Sequence, residues 1–166
     1  MRTVPVSELS VEEFLPFGFY AKMIDPTAEK IGAAPIEFFR DMVQQDLGRA
    51  TIVSFSTCRV EPREPIIDVS EYHTATGEGI LPLDNDALIH VGPATPNDAG
   101  VPLDKIRVFR VPQGTMVVLR PGIWHHAPIT PNARPVNVLI VLPERTYAND
   151  CIVVRLKDEE RLRVAL

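Results

Sequence analysis

All four histidines of this sequence, His73, His90, His125 and His126, fall in one stretch of the chain. Imidazole titrates near neutrality and is the commonest metal ligand, so this crowding marks where chemistry is to be sought. His73 has carboxylate company. In an extended Glu71-Tyr72-His73 segment, residues 71 and 73 share one face, and Glu78 returns after the turn around Gly77. The paired histidines follow a strand-like run from Gly114 and a turn at Pro121-Gly122, where the chain restarts on Trp124, His125 and His126 and reaches Pro128. If that restart is extended, His125 and His126 point to opposite sides, and only one of them readily faces a barrel interior. Glu71, His73, Glu78 and one of the pair, His125 or His126, then form a nitrogen and oxygen set suited to a divalent transition metal such as nickel, manganese or zinc. His73 with His125 or His126 would also serve as an acid and a base. Arg59 and Arg120, at or next to strand ends, are the candidates for holding a substrate carboxylate through a bidentate pair.

Each assignment has a structural rival. His90 lies in an alternating strand without a carboxylate neighbour and reads as packing. Trp124, a candidate substrate contact, is equally suited to plugging a barrel mouth. Glu78 fits a solvated turn as well as a ligand, and Arg59 and Arg120 fit a surface role in which their stems cover apolar neighbours. Cys58 and Cys151 stand at no metal or redox spacing, so they read as small buried apolar groups without chemistry.

These side chains need a scaffold, and the punctuation of the chain indicates which kind. Sixteen prolines and nine glycines in 166 residues interrupt long helices and suit short segments joined by tight turns. Ser10-Val-Glu-Glu13 is a capping box that opens one helical turn before Pro16 and Gly18. A first strand is expected at 19–24 and a loop at 25–35. The spacing of Ile36, Phe39, Val43 and Leu47 predicts a helix over 36–47, closed by Gly48. Alternating or β-branched runs predict strands at 51–58, 66–72, 78–83, 87–91, 106–111, 115–119, 136–142 and 151–156. Charges and leucines over 157–166 predict a short terminal helix. So many short strands make an all-β sandwich or barrel, because stacking or closing sheets is how such a chain buries one face of each.

Composition bounds the function. The length suits one domain, taken as residues 1–166, and 45% apolar against 23% charged residues is globular. A net charge of −5 without a basic run argues against a nucleic-acid partner. No apolar stretch approaches a bilayer span and no signal peptide is visible, so neither a membrane partner nor export is expected, and the expected address is the cytoplasm. Uncovered edge strands make a homodimer the expected assembly.

The Pro-Gly-x-x-His turn downstream of a glycine, with a carboxylate and histidine cluster upstream at 71–78, resembles the two motifs of the cupin superfamily of small β-barrels. More narrowly, Arg59 with Pro62 and Pro65, Glu71-Tyr72-His73, the Glu78-Gly-Ile-Leu-Pro82-Leu segment and Trp124-His125-His126 with Pro128 are similar to the ureidoglycolate lyase family of ureide catabolism. The resemblance runs from about Arg59 to Pro128. It implies a cupin-like antiparallel barrel or jelly roll with short peripheral helices, and cleavage of ureidoglycolate or a related ureido acid to glyoxylate and urea. Two departures stand out: Glu78 occupies a position where the family commonly carries Gln, and Glu71-x-His73 replaces the His-x-His usual in cupins. The competing readings are a metal-dependent cupin isomerase or dioxygenase acting on a sugar or small acid, and a non-enzymatic module that binds a small molecule.

Overall fold

The computed structural model describes residues 1–96 and 98–166. Two five-stranded sheets dominate. In the first, neighbours run β6 (Ile66–Ile67), β14 (Leu162–Ala165), β1 (Arg2–Glu8), β10 (Arg107–Val111) and β9 (Ala87–Val91). In the second they run β2 (Gly18–Lys22), β11 (Thr115–Leu119), β8 (Glu78–Pro82), β12 (Val136–Pro143) and β5 (Val53–Val60). A strand pair, β7 (Val69–Tyr72) with β13 (Ile152–Arg155), and a hairpin of β3 (Lys30–Ala33) with β4 (Ile36–Phe39) complete the strands. Among the described residues, helical structure is confined to α1 (Val11–Phe14), α2 (Thr146–Asn149) and a 3-10 turn at Leu103–Lys105. The protein is therefore the all-β, barrel-like fold expected, with short peripheral helices. Pairing is antiparallel except at β1, which runs parallel to both β10 and β14.

Alternation fixes which residues meet between the sheets. Ile89, Val91, Phe109 and Val111 of the first sheet share one core with Ile80, Val117, Leu119, Val138 and Val60 of the second. Their strand neighbours Leu88 and Val108 point the other way, into a second core with Val4, Ile129, Leu162 and Val164. β9 is thus buried on both faces, as suits a strand that is apolar on both sides except at His90. At the closed end, Phe14 of α1 stands edge-on to Phe109 with ring centroids 5.3 Å apart. The Ser10 hydroxyl accepts from the Glu13 amide at 3.2 Å, which is the first half of the capping box and sets Phe14 inward, while the Glu13 carboxylate accepts from Arg107 at 2.9 Å in place of the expected Ser10 amide.

Three expectations fail for tertiary reasons. Residues 36–47 are not a helix: Ile36–Phe39 forms β4, paired with β3, and the rest is irregular. That pairing also places a strand inside the expected 25–35 loop. Residues 157–166 are not a helix either, because Leu162 and Val164 alternate into the second core when β14 lies along β1. Strand β1 itself escaped the sequence reading. Local periodicity carries no trace of a parallel partner at the opposite terminus.

Phe109 is fully buried and touches both Phe14 and Phe17. Phe109→Ala should therefore cost about 3–5 kcal/mol, since the rings around it cannot collapse into the gap. Urea unfolding checks this, and a loss below about 1 kcal/mol would mean that the two sheets are not held through this cluster.

Candidate active site

The residues that could do chemistry meet at one mouth of the barrel. Glu71 ends up on the interior side of β7, and His73 follows directly after that strand. Glu78 opens β8 opposite Leu119 and faces inward with Ile80. His125 arrives on the segment after the Pro121-Gly122 turn, where Gly122 adopts φ +81, a conformation that favours glycine. That segment is laid on the barrel by backbone pairing. The Glu71 amide donates to the His125 carbonyl at 2.6 Å and the His125 amide returns a bond to the Glu71 carbonyl at 2.8 Å. Residues paired in this way point to the same side, so His125 and Glu71 project together, while Trp124 and His126 project away.

Glu71, His73, Glu78 and His125 are each at most 8% exposed. Oε2 of Glu78 lies 3.0 Å from Nε2 of His73 and 3.0 Å from Nε2 of His125. The other ring nitrogens are already committed. Nδ1 of His73 donates to the Asp150 carbonyl at 2.6 Å, and Nδ1 of His125 donates to the Ile123 carbonyl at 2.8 Å. A carbonyl can only accept, so both hydrogens of the neutral rings are fixed on Nδ1. Both Nε2 atoms then face a carboxylate oxygen that can also only accept, so two neutral rings leave these contacts short of hydrogen, and a further proton on Nε2 or a cation satisfies them. Glu71, His73 and His125 each place one donor atom within 4.8 Å of the others. The donor set, imidazole with carboxylate oxygen, fits a divalent transition metal.

Electrostatics agree with this geometry. Burial pushes the Glu78 carboxyl up, but the charge and hydrogen bond of His125 and those of His73 outweigh it and hold the group at about 2. Burial likewise works against a charged His125, yet the Glu78 carboxylate beside it wins and raises its pKa.

The remaining candidates lie elsewhere. Arg59 alternates outward between Cys58 and Val60 on β5 and pairs with Glu61 at 2.8 Å. The Arg120 guanidinium stacks 4.4 Å from the Phe19 ring and bonds the Leu15 carbonyl. Trp124 is buried, with its indole N–H on the Thr95 hydroxyl at 2.9 Å and its ring 4.5 Å from Tyr72. His126 shares a small recess with Arg63, Asp68 and His90 on the far side of β7. In each case alternation or the turn decides the direction. His90 packs as expected, with Nε2 3.1 Å from the Ser70 hydroxyl, which itself donates to the His125 carbonyl at 3.2 Å.

Several residues beside the cluster carry no sequence signal of their role. The Cys151 thiol donates to Glu71 at 3.4 Å, and burial with the Glu71 charge pushes it up to about 12, so it stays protonated. Tyr147 of α2 sets its ring edge-on to His73 at 6.1 Å. Asp150 reaches His73 through a backbone carbonyl, which every residue type possesses.

Residues 1–163 match the family described as Ureidoglycolate lyase. The chain belongs to the ureidoglycolate lyase family. It is a lyase-family protein over nearly its whole length, and the match extends well beyond the 59–128 stretch that carried the resemblance. None of the curated proteins compared matches it. Among solved structures it is similar to Bacillus subtilis oxalate decarboxylase, in a structure described for its Mn(II) centres, at TM-score 0.44 and 18% identity over 63% of this chain and 24% of that one. A second oxalate decarboxylase structure, described for its substrate binding mode and a reaction specificity switch, gives TM-score 0.43 and 18% identity over 63% and 24%. The chain thus spans about a quarter of the length of those relatives. Among the described residues no helix is long and apolar enough to cross a membrane.

Burial, with the charges of His125, His126 and Arg63 adding, holds His90 down at about 3. Its unfolded value is near 6.5, so between those pH values the unfolded chain binds a proton that the folded one refuses. Stability should fall as pH drops from 6.5 toward 3, with this residue contributing up to about 1.4 kcal/mol per pH unit. His90→Gln should flatten that limb in urea midpoints measured against pH; an unchanged slope would count against a neutral buried His90.

Proposed function

We propose that the protein cleaves ureidoglycolate, or a closely related ureido acid, to glyoxylate and urea, as a carbon–nitrogen lyase of the amidine-lyase type. The observation that carries this reading is the convergence of both Nε2 atoms on Glu78 beside Glu71, joined to the family assignment. The substrate carbon bears a hydroxyl, a carboxylate and a urea nitrogen. Cleavage removes the hydroxyl proton, turns the C–O bond into a carbonyl, breaks the C–N bond and protonates the departing nitrogen. A proton acceptor and a proton donor must therefore flank that carbon. His73, Glu78, His125 and Glu71 would hold a divalent transition metal, which when bound polarises a hydroxyl oxygen and lowers its pKa. Glu71, to which the Cys151 thiol donates, would take the hydroxyl proton, and the imidazoles of His73 and His125 would hold or return one. Trp124 and Tyr72 pack behind this set as a rigid wall.

We also infer a homodimer. The β3–β4 hairpin exposes Ile31, Ile36 and Phe38, and an isolated two-stranded hairpin is marginal in water, which supports burial of this arm against a second copy.

The decisive experiment is release of glyoxylate and urea from ureidoglycolate, run with and without added nickel or manganese. Turnover stimulated by metal is expected; no glyoxylate under any condition would sink the substrate assignment and favour the binding-module alternative. His73→Gln keeps a donor for Glu78 but removes the imidazole, so turnover should drop by roughly 10²–10⁴ with the fold retained. Undiminished turnover in a folded variant would remove His73 from the mechanism.

A further inference from the structure

Asp150 joins α2 to the β7–β8 loop from two sides at once. Its Oδ1 accepts from the Thr74 amide at 2.8 Å and from the Thr74 hydroxyl at 2.5 Å, and its Oδ2 accepts from the Ala75 amide at 2.8 Å. Its own amide closes α2 by donating to the Thr146 carbonyl at 2.8 Å, and its carbonyl takes the Nδ1 hydrogen of His73 at 2.6 Å. One residue therefore holds the loop through its side chain and the His73 ring through its backbone.

We propose that Asp150 is a positioning residue: its carboxylate clasp on Thr74 and Ala75 keeps its carbonyl on Nδ1 of His73, so that Nε2 is presented to the site. This rests on the metal-centre reading above and deepens it. The physical reason is rotational. The Glu78 carboxylate at Nε2 draws a hydrogen to that nitrogen, whereas the Asp150 carbonyl draws one to Nδ1, so the clasp decides whether Nδ1 keeps its hydrogen and the ring its orientation. Groups that orient a metal-binding histidine in this way set affinity by fixing the ring before the ion arrives. The same clasp holds α2, and with it Tyr147, over His73.

The test uses the full chain as wild type, Asp150→Ala and Asp150→Asn. Mn²⁺ affinity is read by calorimetry and electron paramagnetic resonance, and the His73 tautomer by ¹⁵N NMR of the histidine rings without metal. Asp150→Ala should bind Mn²⁺ roughly 10–100-fold more weakly, and Asp150→Asn, which keeps one acceptor oxygen, should lose less. In both variants the His73 ring should spend part of its time without a hydrogen on Nδ1, where the wild type keeps Nδ1 protonated throughout. Equal affinity and a single tautomer in folded variants would overturn the proposal. If Asp150→Ala does not fold, Asp150→Asn decides by the same two measurements. If the wild type binds no Mn²⁺, the metal reading fails separately, and the tautomer alone decides: mixed tautomers in the variants uphold the positioning role, and a fixed one ends it.

Discussion

Everything at the barrel mouth follows from where two hydrogens go. Because the Asp150 and Ile123 carbonyls each claim an Nδ1 hydrogen, the opposite edges of His73 and His125 are left facing one oxygen of Glu78. Burying a carboxylate is costly unless it is paired and hydrogen-bonded, and burying it against two lone pairs would be worse. The arrangement can persist only if positive charge sits at its centre. A site built this way recruits a cation or protons as part of its own stability, so binding and folding are coupled there.

The fold supplies that convergence by pairing segments far apart in the chain. Glu71 and His125 exchange backbone bonds, Gly92 does so with Trp124 and Leu88 with Ile129, so the segment after Pro121-Gly122 is stitched to both β7 and β9. Beneath it, His90 and Ser70 fill the space between the second core and the His125 backbone. A neutral His90 is suited to this position: it packs with Leu88 on the outer face of β9 and still offers a nitrogen to a hydroxyl that braces the site. The second core therefore does more than add stability. It backs the wall on which His125 is mounted.

Much of this was legible because periodicity and turn chemistry report on a half-buried strand. β8 to β12 fell close to their expected bounds, and the alternation of His125 and His126 already required that only one face the interior. The misread segments have a common cause. Residues 36–47 carry apolar spacing that fits a helix, but Ile36 and Phe38 lie on an exposed hairpin, so their pattern records no core within the chain. Residues 157–166 and β1 take their structure from each other across the full length of the sequence. Arg59 and Arg120 were sound choices by type and failed by direction, one through strand alternation and the other through stacking on Phe19. Asp150 could not have been found by residue type, since its contact with His73 is made by a backbone carbonyl.

The displacement of both arginines changes how the site must handle an anionic substrate. Around the cluster the hydrogen bonds come from imidazoles, a thiol and backbone amides; no guanidinium or ammonium bonds to Glu71 or Glu78 among the described residues. Two carboxylates at this mouth repel a third. A divalent cation held by His73, His125 and the glutamates would offset that charge and give an anionic ligand an attractive centre. Glu78 fits the same logic, because its negative charge would tighten the hold on a cation while deepening the need for one. Were an anionic ligand recognised through that centre, its affinity and that of the cation would be linked, each raising the other.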